Sequence, residues 1–325
     1  MTRPYIPEAI LTAAHARSAA RAAGDWVEAD RLRDVIQAAG WKIVDRGTDF
    51  ALSPAAPPDV PEEGLVRYGA SRNVPSRLDE PATRVASVIL IATDHPGDLE
   101  RAVAGLRLHA PAGTSVVIVA DAPSADQEAA LGALATDALA TDSRVPVEVV
   151  WTSERLGHGA ATNIAVRRAT APIVVLLDTS LEPTGDAISP LVGALDDPSA
   201  AVVGGWGITS RDLRHFEDAP AGDVDAIEGY CQAFRRSDFV ERGPLDERFR
   251  FYRNLDSWWS LVLRDAGEGE PPRRAVRLDG LPLVRHDHRG WASLPDDERD
   301  RQSRRNFYRI IDRFGARRDL LTDPG

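Results

Sequence analysis

Two histidines, His286 and His288, stand two residues apart in a late segment of the chain. Side chains at this spacing point the same way on a β-strand. Two imidazoles together with the carboxylate of Asp178 could bind a divalent metal ion. Arg285 and Arg289 flank the same segment and could instead neutralise phosphate without a metal, because a guanidinium fork matches phosphate geometry. Histidines of an ordinary surface loop are the alternative interpretation.

A glycine-rich stretch, Leu156–Asn163, begins a second candidate site. Glycine lets the backbone approach a ligand closely, and the N-terminus of a helix favours phosphate. Gly157 and Gly159 stand where a helix is predicted to begin, and the strand that ends at Asp178 follows it. The spacing therefore indicates a turn that binds phosphate.

The elements that must position these residues alternate along the chain from Val85 onward. Apolar runs at 85–92, 115–120, 145–151 and 172–177 predict strands, and residues 97–109, 125–139 and 159–169 predict helices. Strands separated by helices of this length indicate parallel βαβ units with both faces of the sheet covered. Ligands of such sheets bind beyond the carboxyl ends of the strands. Asp94, Asp121 and Asp178 stand at three of those ends.

The first 84 residues have a different pattern. Residues 7–23 and 25–39 predict a helical hairpin, with Asp25 as the N-cap of the second helix. Alternation at 41–45 and 49–53 predicts a short β-hairpin. Residues 54–84 hold six prolines and few apolar residues, which is typical of a linker. We therefore divide the chain into a hairpin segment (1–53), a linker (54–84) and an α/β domain (85–325) that ends in a covering helix.

Composition excludes several classes of protein. The chain has 325 residues, with Lys+Arg 39 against Asp+Glu 50, a net charge of −11. A protein that binds the nucleic-acid backbone carries a basic face, so no nucleic-acid partner is expected. Cys231 is the single cysteine, which excludes internal disulfides. No apolar run approaches the ~20 residues of a membrane helix, and no secretory leader is visible. We expect a cytoplasmic protein.

The helical hairpin carries one resemblance. Residues 20–34, then 39–40 and 44–48, are similar to the C-terminal tail of cysteinyl-tRNA synthetases, around the Ala-Asp-Arg-Leu-Arg-Asp sequence at 29–34. The rest of a synthetase is absent. The alternatives are a helical hairpin used for packing or dimerisation and an RNA-associated module.

A broader resemblance covers residues 85–295. Val88–Asp94, Val117–Asp121, Leu156–Asn163 and Leu176–Pro183, followed by segments at 228–236, 243–252, 253–267 and 283–293, resemble the inverting family-two glycosyltransferases in the correct order. The resemblance implies the GT-A fold, a Rossmann-like α/β domain that binds nucleotide sugars. It departs at Ser180, which replaces the second Asp of the family's Asp-x-Asp, and at Leu255, which replaces the Glu before the catalytic Asp.

The resemblance also implies roles for named residues. Counting back from Gly267 places Asp256 on the family's catalytic base, and a helix cap is the alternative role. The resemblance assigns donor binding to six residues: Asp94, Asp121, Asn163, Asp178, Arg285 and Arg289. A divalent cation, Mg²⁺ or Mn²⁺, would be held by Asp178 with His286 and His288, and the loss of the second Asp weakens that expectation.

The expected function is transfer of a sugar from a nucleotide diphosphate sugar to an acceptor hydroxyl, with inversion. Asp256 would take the proton of that hydroxyl. The alternatives are a non-catalytic relic that still binds nucleotide sugars, favoured by the two lost carboxylates, and the RNA-associated module. The sequence identifies neither the donor nor the acceptor.

Overall fold

The structure is a computed structural model that describes residues 6–47, 49–62, 64–92, 94–140, 144–267, 270–289 and 294–322. The chain divides into two compact units, Met1–Ala70 and Ser71–Gly325. The boundary between them lies inside the proline-rich segment. None of the helices in the described ranges combines the length and apolar character that crossing a membrane requires.

The first unit contains the predicted helical hairpin and β-hairpin. Its elements are α1 (Glu8–Ala22), α2 (Trp26–Ala38), β1 (Trp41–Arg46), β2 (Asp49–Pro54), β3 (Val60–Glu62) and β4 (Leu65–Tyr68). Asp25 caps α2 by accepting the Glu28 N–H at 3.1 Å. A small core of Ile10, Ile36 and Trp41 joins the helices to β1. The strands β3 and β4 lie in the segment for which the sequence predicts only a linker.

The second unit alternates strands and helices. Its helices are α3 (Pro96–His109), α4 (Ala125–Ala140), α5 (His158–Arg168), α6 (Ile188–Ala194), α7 (Arg236–Arg242), α8 (Leu255–Arg264) and α9 (Asp296–Phe314). Its strands are β5 (Ala86–Ala92), β6 (Thr114–Ala120), β7 (Val147–Thr152), β8 (Ile173–Leu177), β9 (Leu181–Pro183), β10 (Ala200–Gly204), β11 (Gly207–Ser210), β12 (Phe216–Asp218), β13 (Gly222–Val224), β14 (Ala226–Ile227), β15 (Cys231–Arg235), β16 (Arg274–Arg277) and β17 (Leu283–Arg285).

A central sheet organises this unit, with strands in the order β13-β16-β10-β15-β8-β5-β6-β7. The pairs β8-β5, β5-β6 and β6-β7 are parallel, as the sequence predicts. Strand β15 is antiparallel to both β8 and β10, so the sheet is mixed on that side. The apolar run of β5 is buried along nearly its whole length, because α3 and α5 pack on the sheet. Two small sheets, β12-β11-β14 and β17-β9, stand beside it.

The last part of the proline-rich segment is fixed to the second unit. The backbone N–H of Arg77 donates to the Arg167 carbonyl at 2.7 Å, and that of Thr83 donates to the Thr170 carbonyl at 3.0 Å. The Arg167 guanidinium returns a bond to the Val74 carbonyl at 3.1 Å. Residues 74–83 are therefore an ordered connection held against the C-terminal end of α5.

Helix α8 is held on the sheet by aromatic packing and by hydrogen bonds. Trp259 is fully buried, with its ring edge-on to Phe234 at 5.5 Å between centroids. The Ser260 hydroxyl accepts the Ile227 N–H at 3.0 Å, and the Gln232 amide donates to the same hydroxyl at 2.9 Å. These contacts fix the start of α8, where Asp256 lies.

A buried carboxylate, Asp225, joins four segments of the second unit. It accepts the Ser210 N–H at 2.6 Å, the Thr209 hydroxyl at 3.0 Å and the Thr322 N–H at 2.6 Å. Its own carbonyl accepts from the Arg264 guanidinium at 2.7 Å. β11, the end of α8 and the C-terminal segment thus meet at one fully buried side chain.

Candidate active site

A cavity of about 360 Å³ opens at the carboxyl ends of β5 and β8, between them and the start of α8. Its polar lining includes Asp178, Asp218, Glu228, Arg253, Asp256 and His288. This is the side of an α/β sheet at which ligands bind, and the volume suits a small ligand. Three of the residues that the sequence selects, Asp178, Asp256 and His288, are brought together here.

Asp256 lies in the first turn of α8 with its carboxylate in the cavity. Oδ2 accepts the Gly229 N–H at 2.7 Å and Oδ1 accepts the Ser257 N–H at 2.8 Å. Burial raises the pKa of Asp256 above its ordinary value, and these two hydrogen bonds oppose the rise only in part. A carboxylate oriented by backbone donors and with increased proton affinity is chemically suited to be a general base.

Asp178 follows β8 and pairs with His288. The His288 Nε2 lies 3.2 Å from Asp178 Oδ2, and Asp178 Oδ1 accepts the Ser180 N–H at 2.8 Å. Burial alone would raise the pKa of Asp178, but His288 and Ser180 outweigh it, so that pKa lies below its usual value. For His288, burial is likewise outweighed by Asp178, and its pKa is raised. The pair favours a carboxylate beside an imidazolium.

Two tyrosines enclose His288. The Tyr252 ring stacks on the imidazole with 4.6 Å between centroids, and Tyr230 approaches it edge-on at 6.3 Å. The Arg285 guanidinium lies over the Tyr230 ring, 4.7 Å from its centroid. Arg285 therefore stands beside the cavity without lining it.

The predicted metal set of Asp178, His286 and His288 does not form. β17 ends at Arg285, so the two histidines do not share a strand face, and His286 Nε2 lies 2.8 Å from Glu182 Oε2 instead. Across the described ranges, no three His, Cys, Asp or Glu side chains are grouped as metal ligands. Ser180 supplies no second carboxylate, and Asp178 already binds His288. The residues do not fit the divalent cation that the family pattern implies.

Asp121 and Asp94 bind the protein's own backbone. Asp121 accepts the Leu156 N–H at 2.7 Å and the Gly157 N–H at 3.0 Å. Asp94 accepts the Ser124 N–H at 2.9 Å and lies 3.2 Å from the Arg155 guanidinium. Neither lines the cavity. Asp121 thus orders the turn before α5, and its assignment to the donor stays a prediction.

Asn163 and Arg289 also lie outside the cavity. The Asn163 amide donates to the Leu245 carbonyl at 2.9 Å and its oxygen accepts the Leu245 N–H at 2.8 Å, so this buried side chain holds the loop before α8. Arg289 lies 3.6 Å from Asp98 of α3. Both residues therefore contact other parts of the protein.

The backbone of the loop before α8 lies against the glycine-rich stretch. The N–H groups of His158 and Gly159 donate to the Arg250 and Phe249 carbonyls at 3.0 and 2.9 Å. Gly157 has φ +96°, and a Cβ on Gly159 would stand 2.8 Å from the Asp246 carbonyl. The glycines do permit close approach, but what approaches is the loop before α8. Phosphate binding at this turn therefore stays a prediction.

Sequence reasoning passed over several residues that line the cavity: His158, Asp218, Glu228, Tyr230, Tyr252 and Arg253. Burial lowers the pKa of His158 to about 4. Burial, then the carboxylates of Asp256 and Asp218, raise the pKa of Glu228 to about 7. Glu228 stands within a quoted segment, and its position next to a glycine that binds Asp256 is visible only in the structure.

Known structures share this fold. A mannosyltransferase from Pyrobaculum calidifontis, PcManGT, in complex with GDP-Man and Mn²⁺, superposes with a TM-score of 0.55 over 77% of this chain and 73% of its own, at 19% identity. GalNAc-T7 with UDP, GalNAc and Mn²⁺ superposes with the same TM-score over 72% of this chain and 48% of its own, at 15% identity. The mixed α/β sheet of the second unit is thus a GT-A fold, as predicted.

A curated relative adds sequence similarity. The pre-mycofactocin glycosyltransferase of Mycobacterium tuberculosis, in strains CDC 1551 and H37Rv, is 24% identical over 227 residues. The match covers 64% of this chain and 44% of the relative, so the chain spans less than half the length of that protein.

The family model described as Glycosyl transferase family 2 matches residues 87–253, which is about half of the chain. The matched range runs from β5 to the residues just before α8, and contains Asp178, Glu228 and the tyrosines around His288. The chain therefore belongs to glycosyl transferase family 2.

Proposed function

We propose that this protein transfers a sugar from a nucleoside diphosphate sugar to an acceptor hydroxyl with inversion at the sugar carbon C1, and that Asp256 is the general base. The observation that carries the proposal is the Asp256 carboxylate, which is fixed by the Gly229 and Ser257 N–H groups in the cavity that Asp178 also lines. A curated relative named as a glycosyltransferase, and structural neighbours in complex with GDP-Man or with UDP and GalNAc, support the reaction class.

The proton and the bonds balance in one displacement. The acceptor oxygen forms a bond to C1 while its proton passes to Asp256, and the bond from C1 to the diphosphate oxygen breaks with its electron pair going to the diphosphate. Negative charge grows on that leaving group, and positive groups placed beforehand stabilise it best. His288, Arg253 and Arg285 supply positive charge at the cavity.

The donor class is a proposal at the level of nucleoside diphosphate sugars. The neighbours bind GDP-Man in one case and UDP in the other, so neither base is favoured. We propose further that donor binding depends little on a divalent cation, because the second carboxylate is absent and Asp178 pairs with His288.

Substitution of Asp256 by Asn tests the base. Asn keeps the size of the side chain and one of its two accepting oxygens, but it loses the basic oxygen. Turnover should fall about a hundredfold or more, as expected for removing a positioned general base. Stability should fall by about 1 kcal/mol, because the amide nitrogen cannot accept and one of the two backbone N–H groups loses its partner. The measurements are transfer from UDP-glucose and GDP-mannose, UDP and GDP binding by calorimetry, and thermal unfolding.

The matched control is Asp186→Asn, which makes the same chemical change at a carboxylate that caps α6 through Ile188 and Ser189, outside the cavity. It should retain wild-type turnover. Near-normal turnover in folded Asp256→Asn protein would eliminate Asp256 as the base. Nucleotide binding without turnover of any donor by the wild type would instead identify the non-catalytic relic.

A further inference from the structure

A second carboxyl group, Glu228, faces the same cavity as Asp256 from a different element. Glu228 follows β14, and its N–H donates to the Trp206 carbonyl at 2.9 Å. The next residue, Gly229, donates its N–H to Asp256 Oδ2 at 2.7 Å. That bond ties the backbone beside Glu228 to the proposed base.

The Glu228 side chain is not used to hold the fold. Within the described part of the chain, no donor makes a hydrogen bond or a close ion pair to its carboxyl group, although the side chain is half-buried and lines the cavity. A half-buried carboxyl group without such a partner is free to bind a ligand.

Four charged groups act on Glu228. Asp256 of α8 and Asp218 at the end of β12 disfavour its ionisation, and Arg285 of β17 and Arg253 before α8 favour it. Burial is the largest cause, the two carboxylates add to it, and the pKa of Glu228 rises to about 7. Near neutral pH this carboxyl group can therefore both donate and accept a hydrogen bond.

An aromatic surface lies next to the two carboxyl groups. Tyr230 and Phe216 line the cavity, and Trp206 packs on Tyr230 with 5.7 Å between ring centroids. A sugar ring has an apolar C–H face and an edge of adjacent hydroxyls. Aromatic rings bury the first, and carboxyl oxygens bind the second.

We infer that Glu228 is a positioning residue that binds a second acceptor hydroxyl, adjacent to the one that Asp256 deprotonates, and that the acceptor is a polyol such as a sugar. The inference rests on the proposed transfer reaction and names its acceptor class. Glu228 binds throughout and exchanges no proton with the reacting oxygen, which loses its proton to Asp256. Leu255 stands where the family pattern has a second carboxylate, and Glu228 supplies one from another part of the chain.

The experiment compares matched acceptors. Donor turnover is measured with UDP-glucose and GDP-mannose in the presence of trans-cyclohexane-1,2-diol, methyl α-mannoside or cyclohexanol, which offers a single hydroxyl. The proteins are wild type, Glu228→Ala, Glu228→Gln and the control Glu217→Gln, an exposed residue of β12 outside the cavity. Calorimetry with UDP and GDP reports donor binding and intact folding.

We expect wild type to use the diol and the methyl mannoside in preference to cyclohexanol. Glu228→Ala should raise the KM for the polyols about tenfold, which is the effect of losing a hydrogen bond. The KM for cyclohexanol and the affinity for UDP and GDP should not change. Glu228→Gln replaces the carboxyl group by an amide that can also donate and accept hydrogen bonds, so it should retain most of the wild-type affinity for the polyols. In wild type, the KM for the polyols should change near pH 7, where Glu228 titrates. This change should be absent in Glu228→Gln, and a purely structural role of Glu228 would not produce that difference.

Equal effects of Glu228→Ala on diol and cyclohexanol, no effect on either, or wild-type preference for cyclohexanol would overturn the inference while leaving the proposed function intact. The inference would also be overturned if the protein hydrolysed the donor at the same rate with and without each of the three acceptors. Absence of donor turnover by wild type is a different result, because it refutes the proposed function on which the inference rests.

Discussion

His158, at the first position of α5, is a residue whose environment dictates how the protein responds to acid. Burial is the main reason why its folded-state pKa lies at about 4; the charge of Asp178 opposes this shift, and that of His288 adds to it. The imidazole is therefore neutral at physiological pH. In the unfolded chain a histidine has a pKa of about 6.5.

This difference predicts acid-sensitive stability. Between pH 6.5 and 4 the unfolded chain binds more protons at this position than the folded chain, so the free energy of unfolding should fall as pH falls through that window. The contribution is roughly 1–2 kcal/mol after allowance for partial solvent exposure. Urea unfolding at pH 7 and pH 4.5 measures it.

His158→Gln should flatten the pH dependence, and His109→Gln, on α3 outside the cavity, should not. Equal slopes in wild type and His158→Gln would show that the imidazole is not buried neutral.

At the same scale, residue type predicted where polar groups matter but not what they bind. Asp121 and Asn163 are buried polar residues that the sequence assigns to the donor, yet each satisfies backbone groups of a neighbouring loop. A carboxylate or an amide accepts equally well from a ligand and from a peptide N–H. The choice depends on long-range packing, which local sequence does not encode. Glu228 was missed for the same reason.

At the scale of elements, the parallel strands were predictable because buried strands read as continuous apolar runs. β5, β6 and β8 begin within one residue of their predicted limits, and α3 and α5 begin one residue earlier than predicted. The pairing of β15 with β8 and β10 was not predictable, because it joins residues far apart in the chain. Gly157 and Gly159 indicate close approach of another group, and in the structure the backbone of the loop before α8 lies against them.

The short pair β9-β17 brings the histidine segment beside β8, and this arrangement bears on metal dependence. In this pair Arg285 lies opposite Leu181. Beyond it, His286 contacts Glu182 and His288 contacts Asp178. Since the imidazoles pair with separate carboxylates, we expect EDTA to change the affinity for UDP or GDP by less than about threefold, far below the loss expected when an essential divalent ion is removed.

Calorimetry with and without EDTA, and with Mn²⁺ added back, makes the comparison. A chelator that abolishes nucleotide binding, with recovery on Mn²⁺, would contradict the expectation and would indicate that Glu182 or the histidines rearrange to bind the ion.

At the scale of the whole molecule, the division into Met1–Ala70 and Ser71–Gly325 predicts where proteases cut first. Residues 74–84 are bonded to α5, whereas Pro54–Asp59 contains no helix or strand residue after Pro54 and is largely exposed. Exposed connecting backbone is cleaved before hydrogen-bonded backbone. Limited digestion with proteinase K should therefore cut first between about residues 54 and 70, as mass spectrometry of the fragments would report.

The fragment that begins near residue 70 should persist. An early cut inside Ala86–Leu177, or one confined to residues 74–84, would show that the two units are not separated at this place.

The Asp225 contacts have a consequence for the order in which the protein folds. Its partners are separated from it by 15 residues at Ser210, 39 at Arg264 and 97 at Thr322, so the Thr322 contact closes a long loop. Closing such loops is entropically costly, and contacts of this kind slow folding. The parallel pairs β5-β6 and β6-β7 can form earlier, because they join residues much nearer in the chain, such as Ala86 with Thr114 and Val116 with Val147. After dilution from urea, we expect circular dichroism to recover before donor turnover does, because α8 reaches its final position, and Asp256 with it, only when the C-terminal segment arrives.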